Sequence, residues 1–425
     1  MFRQFPPFKK ITKTKLFNAR DVYEYIASRM PVKPAAITLS QGMDSVILAS
    51  MMPKGSTAYT AIFDGKDCNE SAEAARFAAM FGLKHRIIKV DWSDYQNTHR
   101  LLIRHKGQPL IPIEPTIYRL AMEAKSDGYD TVVTGVGAGS QFGQNAHMHA
   151  LADNPAEFLK KWAWLNPADI LKQPVPLEVL ASNYISNGRI EPLPIMTLDR
   201  GCNGGDENAT RAAGMQWCSP YEGIDLDLDI DRAVNDGKYV LKEIYRERVG
   251  EEPYQPIGWN RPIGTWLKKW RPTSPYFKDQ LPVLGGNRKW QLYSLETFWN
   301  MHQLRDIPYS AIEPYVEAAE SEGLIFRKRT EYQGLYVDGE LVGFAGILWQ
   351  GEKATFKSSY ILPAERRKGY HELIEDYRYM LAKRRGVKAI EAGCTDMHLP
   401  AVLRRGFQIT GKTADGIYTK VRLEL

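Results

Sequence analysis

Six consecutive residues, Ser40-Gln41-Gly42-Met43-Asp44-Ser45, carry the first chemistry in this chain, between an apolar run at 35–39 and another at 46–49. A glycine permits close backbone approach, and the N–H groups and dipole of a helix start attract an anion. A carboxylate among them can hold Mg²⁺ between phosphate oxygens. The set therefore suits a phosphate group, although Ser40 or Asp44 could equally serve as a plain helix cap. A second feature is Lys238 in GKYVLKEIY, which by itself reads as an exposed helical lysine. A third is Arg366-Arg367-Lys368-Gly369 ahead of a helix-like run, a basic turn of a kind common on protein surfaces.

The elements around these groups fall into two kinds. Strand-like runs at 35–40, 56–63, 84–90 and 130–136 alternate with helix-like runs at 44–52, 69–83 and 116–129, and Asn18 caps a further helix. That alternation predicts an α/β, doubly wound parallel sheet, whose ligands bind beyond the carboxyl ends of its strands. The stretch 145–217 reads poorly, with 168–185 helical in pieces, and a helical signal returns over 231–250. After a Pro/Gly-rich linker the pattern changes. Alternating strands around Asp338-Gly339 form a hairpin signal, followed by a strand at 353–362, a helix at 371–386 and a strand–helix–strand close. The expected domains are 1–275, an α/β unit, and 290–425, an α+β unit, with 276–289 as linker.

Composition narrows the class. The chain has 425 residues, 44% hydrophobic and 25% charged, as expected of a soluble globular protein of two or three domains. No apolar run is long enough to span a membrane and the N-terminus lacks a signal-peptide core, so a cytoplasmic location is expected. Cys68, Cys202, Cys218 and Cys394 form no CxxC pair and read as free thiols. The net charge of +6 permits an anionic partner without demanding one.

Over about 36–269 the order and spacing of motifs resemble the N-type ATP pyrophosphatases, specifically the synthetase domain of asparagine synthetase and β-lactam synthetase. Residues 40–45 resemble the SGGxDS pyrophosphate loop, 61–85 the next strand, acidic turn and helix, and 132–144 the TGEGADELFGGY loop. The stretch 198–226 resembles DR…PFLD, 237–245 the KxxLR helix, and 258–267 the region after it. The resemblance implies ATP and Mg²⁺ as cofactors, adenylation of a carboxylate with release of pyrophosphate, and attack by an amine. Carried over, Ser40, Gly42 and Ser45 with Gln41, Gly135 and Gly137 bind the nucleotide, Asp44 binds the metal, and Lys238 stabilises charge in the transition states.

The sequence departs from that family at several positions. Gln41 replaces the first loop glycine, Val136 the glutamate that assists amide formation, and Gly139 the second magnesium aspartate, with Ser140 at the next acidic position. Asp225, Asp227, Asp229 and Asp231 alternate with apolar residues, as in a solvent-edged strand or turn. Phe2 stands where the family's glutamine-using members carry a nucleophilic cysteine, and too few residues precede the first strand for a glutaminase domain, so none is expected.

Over about 290–425 the chain resembles GNAT N-acyltransferases. YILPAERRKGYHE looks like the V-x-P-x-x-R-x-x-G-x-G/A signature, which implies acetyl-CoA or another acyl-CoA bound by Arg366, Arg367, Lys368 and Gly369. Here His371 replaces the last small residue and Val402 the tyrosine that protonates the departing thiolate, leaving Tyr418, Glu391 and His398 as candidate acid–base groups. The leading expectation is a two-station enzyme, an ATP-dependent amide-forming ligase coupled to acyl transfer. The carboxylate and amine are open. A nucleobase is one conceivable acceptor, since the basic aromatic stretch 264–278 could serve nucleic acid or simply form a basic surface. The alternative is a degenerate nucleotide- and CoA-binding scaffold, with the GNAT-like part alone, or neither part, catalytic.

Overall fold

The computed structural model describes residues 13–64, 70–163, 165–174, 177, 185–190, 202–254, 260–396, 398–403, 405–413 and 416–425. The acidic turn at 65–69, the Asp199-Arg200 pair, and most of 175–184 lie outside them. The described chain divides into two compact units, one ending at Thr297 and one running from Phe298 to Leu425.

In the first unit the expected alternation becomes a five-stranded parallel sheet. Its strands are β2 (Ala36–Thr38), β3 (Thr57–Ile62), β4 (Lys84–Lys89), β5 (Thr131–Val133) and β6 (Gln216–Cys218), in the order β4-β3-β2-β5-β6. A separate two-stranded parallel pair joins β1 (Thr14–Leu16) to β7 (Ile224–Leu226). β2 is central and wholly buried, which explains its continuous apolar sequence. Helices α1 (Ala19–Arg29), α2 (Met43–Ala49), α3 (Ser71–Met80), α4 (Trp92–Lys106), α5 (Glu114–Ser126), α6 (Cys202–Ala212) and α7 (Tyr239–Val249) surround it. As expected, Asn18 caps α1 by accepting from the Asp21 amide.

The core joins Ile37 and Leu39 to Val46, Ile47 and Leu48 of α2 and to Leu241, Ile244 and Tyr245 of α7. Each such fully buried side chain contributes about 1.5–3 kcal/mol. This packing sets α2 and α7 side by side, although about 190 residues of chain separate them.

The boundary between the units falls later than the sequence pattern places it. Residues 286–301 form one helix, α8 (Gly286–Met301), rather than a linker followed by a new domain at 290. Trp290 is fully buried and its Nε1 donates to the carbonyl of Leu110, while Ser294 Oγ accepts from the Leu110 amide and lies 3.1 Å from His99 Nε2. Those bonds hold the start of α8 in the first unit.

The second unit is a mixed seven-stranded sheet. Its strands are β8 (His302–Ile307), β9 (Glu331–Val337), β10 (Glu340–Gln350), β11 (Lys353–Ile361), β12 (Ala389–Cys394), β13 (Gln408–Lys412) and β14 (Thr419–Glu424). Their order is β8-β9-β10-β11-β12-β14-β13. Asp338 (φ 51°) and Gly339 (φ 85°) make the β9–β10 hairpin turn, with the left-handed pair that Asp-Gly favours. The one parallel pairing, β11 with β12, runs from Lys353↔Ala389 to Phe356↔Ala392 and then stops, although both strands continue. Helix α9 (Tyr309–Ser321) follows β8 and α10 (Tyr370–Arg384) follows β11. Among the described residues no helix is long and apolar enough to cross a membrane.

Candidate functional site

The loop from β2 to α2 is tied together by its own serines. Ser45 Oγ accepts from the Ser40 amide and donates to the carbonyls of Ser40 and Gly42, at 3.0–3.3 Å. Ser40 Oγ accepts from the Gly42 amide at 3.1 Å. Ser40 and Ser45 thus shape the loop as much as they offer hydroxyls to a ligand. Neighbouring strands brace it too, for Thr60 Oγ1 of β3 donates to the Leu39 carbonyl and lies 2.8 Å from His85 Nε2. Burial pushes the His85 imidazole pKa down, which favours its neutral form.

Gly135, just beyond β5, approaches this loop closely. A Cβ there would stand 3.2 Å from the Ser45 amide nitrogen and 3.3 Å from the Asp44 carbonyl carbon, so only glycine fits without displacement. Gly137 takes a left-handed φ of 97° at the next turn.

Two of the three expected catalytic or binding groups meet here. Lys238 Nζ lies 2.6 Å from Asp44 Oδ2, with side-chain exposures of 16% and 27%. Asp44 Oδ1 is buried and has no hydrogen-bond partner among the described residues. Lys238 reaches Asp44 from the N-cap of α7, in a left-handed conformation fixed by its own amide bond to the Phe142 carbonyl. It is therefore not the exposed helical lysine that its sequence context alone would suggest.

A cleft of about 250 Å³ opens over the loop, lined by Thr38, Ser40, Gly42, Asp44, Ser45, Ile113, Ile117, Gly135, Val136, Asp206 and Arg261. Gln41, expected to touch the nucleotide, is instead buried at 6% exposure and does not line the cleft; Gly137 does not line it either. Asp225, Asp227, Asp229 and Asp231 are exposed, Asp229 capping the turn at Arg232, and no metal-binding cluster occurs among the described residues. The residues present fit one Mg²⁺ through Asp44 Oδ1 together with phosphate oxygens, since Mg²⁺ commonly uses one or two carboxylates and keeps the rest of its shell as phosphate and water. Gly139 supplies no second carboxylate, and a Cβ there would collide with Gln144 Oε1.

Sequence reasoning missed Asp206 of α6. The residue is 6% exposed, and burial, reinforced by the nearby charge of Glu114, pushes its pKa up to about 7. A Thr134 hydrogen bond and the positive charges of Arg261 and Lys106 act in the opposite direction. Behind it Glu114 is fully buried, accepting from Lys106 Nζ (2.6 Å), the Ile111 amide (2.7 Å) and Asn208 Nδ2 (2.8 Å). An acidic residue in a polar helix, GGDENATRA, gives no periodic signal that it faces inward.

In the second unit, Arg367 (φ 68°) and Gly369 (φ 78°) are both left-handed, which turns the chain sharply between β11 and α10. Arg366 Nη2 donates to both carboxylate oxygens of Glu322, at 2.6 and 2.8 Å, and Lys368 pairs with Glu365 at 2.8 Å. Arg367 is exposed and has no ion pair among the described residues. His371, on the first turn of α10, lies 3.5 Å from Glu375 and edge-on to His398 at 4.8 Å. Burial and the charge of His371 lower the His398 pKa. Val402 is buried in the core, Glu391 pairs with Lys353 and Arg422, and the Tyr418 hydroxyl donates to the Gly323 carbonyl. Of the basic aromatic stretch, Trp266 packs inward against Tyr95 and Trp92 while Lys268 and Lys269 are exposed.

The family model described as asparagine synthase matches residues 24–209. No curated protein matches the chain. Among solved structures, an IAA acetyltransferase from Bacillus cereus ATCC 14579 is 16% identical, covering 29% of this chain and 99% of its own, with a TM-score of 0.25. The ribosomal-protein-S18-alanine N-acetyltransferase from Escherichia coli is 15% identical, covering 29% and 93%, with a TM-score of 0.24. A PaiA N-acetyltransferase from Thermoplasma acidophilum in complex with coenzyme A is 12% identical, covering 29% and 99%, with a TM-score of 0.25. The chain is thus similar to asparagine synthase over its N-terminal part and to GNAT N-acetyltransferases over its C-terminal part.

Proposed function

We propose that the first unit is an ATP-dependent, carboxylate-adenylating ligase that forms an amide, and that the second unit transfers an acyl group from an acyl-CoA. The observation that carries the first half is the meeting of Asp44 and Lys238. A structural scaffold has little use for a strained lysine aimed at a carboxylate whose other oxygen is left buried and unpartnered. A magnesium ion held by Asp44 would neutralise charge on the triphosphate and favour attack at the α-phosphorus. Lys238, beside it, offers a fixed cation for the charge that grows as the substrate carboxylate attacks and pyrophosphate departs. Gly135 and Gly42 leave room for the loop to pack on itself and on the end of β5, and Ser40 with Ser45 holds the loop in one shape.

The second half rests on the turn at Arg367–Gly369 and on the end of the β11–β12 pairing at Phe356↔Ala392, past which the two strands continue without pairing to each other. Exposed Arg367 is the best placed of the three basic residues for a diphosphate. A nucleobase acceptor for the joint product is one further reading, favoured by the exposed Lys268 and Lys269.

The test is calorimetric binding of Mg-ATP and of acetyl-CoA to the intact protein and to Asp44→Ala, followed by a screen of carboxylates for ATP–pyrophosphate exchange. Mg-ATP binding lost in Asp44→Ala with acetyl-CoA binding retained supports both stations. Wild-type protein that binds no ATP refutes the ligase, and protein that binds neither ligand refutes both stations and the nucleotide- and CoA-binding scaffold with them.

A further inference from the structure

We infer that Asp206 is the proton acceptor of the amide-forming step, taking the proton of the attacking amine within the first unit's cleft. The inference rests on the adenylating reading above and adds to it the residue that the second half-reaction needs. Val136, which stands where the resembled family has its assisting glutamate, and Asp206 line the same cleft. Val136 can take no proton. Asp206 is the one carboxylate besides Asp44 among the lining residues, and Asp44 is engaged by Lys238.

The surroundings of Asp206 are built for holding a proton. From α5, Glu114 presents a second buried carboxyl, and from α4, Lys106 balances it. Asn208, two residues along α6, bridges Glu114 to His105 Nδ1 at 2.7 Å. From the end of β5, Thr134 hydrogen-bonds Asp206, and Arg261 brings a positive charge from the segment after residue 260. Burial and Glu114 together outweigh Thr134, Arg261 and Lys106, so the carboxyl changes its protonation near pH 7. A base poised there is matched to its task.

The step balances as follows. The amine nitrogen forms a bond to the acyl carbon of the acyl-adenylate, and its proton passes to the Asp206 carboxylate. The bond from that carbon to the AMP phosphate oxygen then breaks, and AMP leaves with the electron pair. Amide, AMP and protonated Asp206 are the products, and Asp206 releases its proton to water when the cleft empties.

The experiment uses the full chain with the carboxylate that gives ATP–pyrophosphate exchange. Amide formation from ammonium chloride, expressed per concentration of unprotonated ammonia at each pH, and hydroxamate formation from hydroxylamine are measured from pH 5.5 to 9 for wild type, Asp206→Asn and Asp206→Glu. Hydroxylamine is largely unprotonated and strongly nucleophilic across most of that range, so it needs a base least. We expect Asp206→Asn to slow amide formation at least tenfold more than it slows exchange, to lose the rise through pH 7, and to recover with hydroxylamine. Asp206→Glu should restore part of the rise. An infrared carboxylic C=O band titrating near pH 7 and missing in Asp206→Asn would fix the assignment to that side chain. Exchange and amide formation falling in parallel in Asp206→Asn would overturn the inference, leaving the adenylating reading intact. A wild type without exchange on any carboxylate would overturn that reading, and the step with it.

Discussion

Lys238 holds its amine 2.6 Å from the Asp44 carboxylate while its backbone sits at φ 61°, a region where a side chain costs about 1–2 kcal/mol. Glycine would remove that strain and asparagine would reduce it, yet neither carries a cation to this point. The strain therefore belongs to aiming the amine, and the rigid start of α7 keeps it aimed.

Replacing Lys238 by methionine keeps most of its packing and removes the charge. Because a cation used in the transition state contributes little to ground-state binding, Mg-ATP affinity should change by less than about tenfold while pyrophosphate release falls roughly 10²–10³-fold. Calorimetry and a pyrophosphate assay on the same preparation separate the two. Equal losses in both would return Lys238 to a binding role.

Gly135→Ala puts a methyl group at 3.2 Å from the Ser45 amide nitrogen and 3.4 Å from the Asp44 Cβ. These neighbours are backbone and a short side chain, so the loop itself must give way by a few tenths of an ångström. Mg-ATP binding should weaken at least tenfold, with unfolding stability lowered by about 1–2 kcal/mol. Retained affinity would mean that the loop can adjust without losing its grip.

Asp206→Asn should stabilise the fold, and more so at higher pH. A buried carboxyl with its pKa raised to about 7 keeps its proton when folded but loses it when unfolded, near pH 4. Between those values the unfolded chain binds fewer protons, so stability falls as pH rises, by up to about 4 kcal/mol once pH passes 7. The asparagine variant lacks this slope. Thermal melts at pH 4.5 and pH 8 should differ by several degrees more in the wild type than in the variant, and parallel curves would show that Asp206 ionises normally.

In the second unit, Arg366 already satisfies Glu322 with two hydrogen bonds, whereas Arg367 is exposed and unpaired among the described residues. Arg367→Glu should therefore weaken acetyl-CoA binding more than Arg366→Glu does, by about tenfold at low salt, with the gap shrinking as salt screens the charge. The opposite ranking would move the diphosphate away from the Arg367 turn.

Much of this architecture was legible because it follows from short-range rules. The parallel strands are apolar runs, Asn18 caps a helix, and Asp338-Gly339 makes a tight hairpin. The Asp44–Lys238 pair came from resemblance, not from periodicity, since no local pattern relates two residues 194 positions apart. What stayed hidden was decided by tertiary burial. Gln41 turned inward, Asp206 faced the cleft from a polar helix, and the start of α8 joined the first unit through Trp290 and Ser294. Each depends on neighbours remote in the chain.

The order of strands in the first sheet has a temporal consequence. β2, which leads into the loop at 40–45, has β3 next in the chain but must wait for β5, some 95 residues on, and for α7 to bring Lys238. A chain emerging from the ribosome therefore has no Asp44–Lys238 pair until Lys238 itself is out. Contacts of such long sequence separation also make folding slow. The pair thus forms only after all five strands of the first sheet have been made.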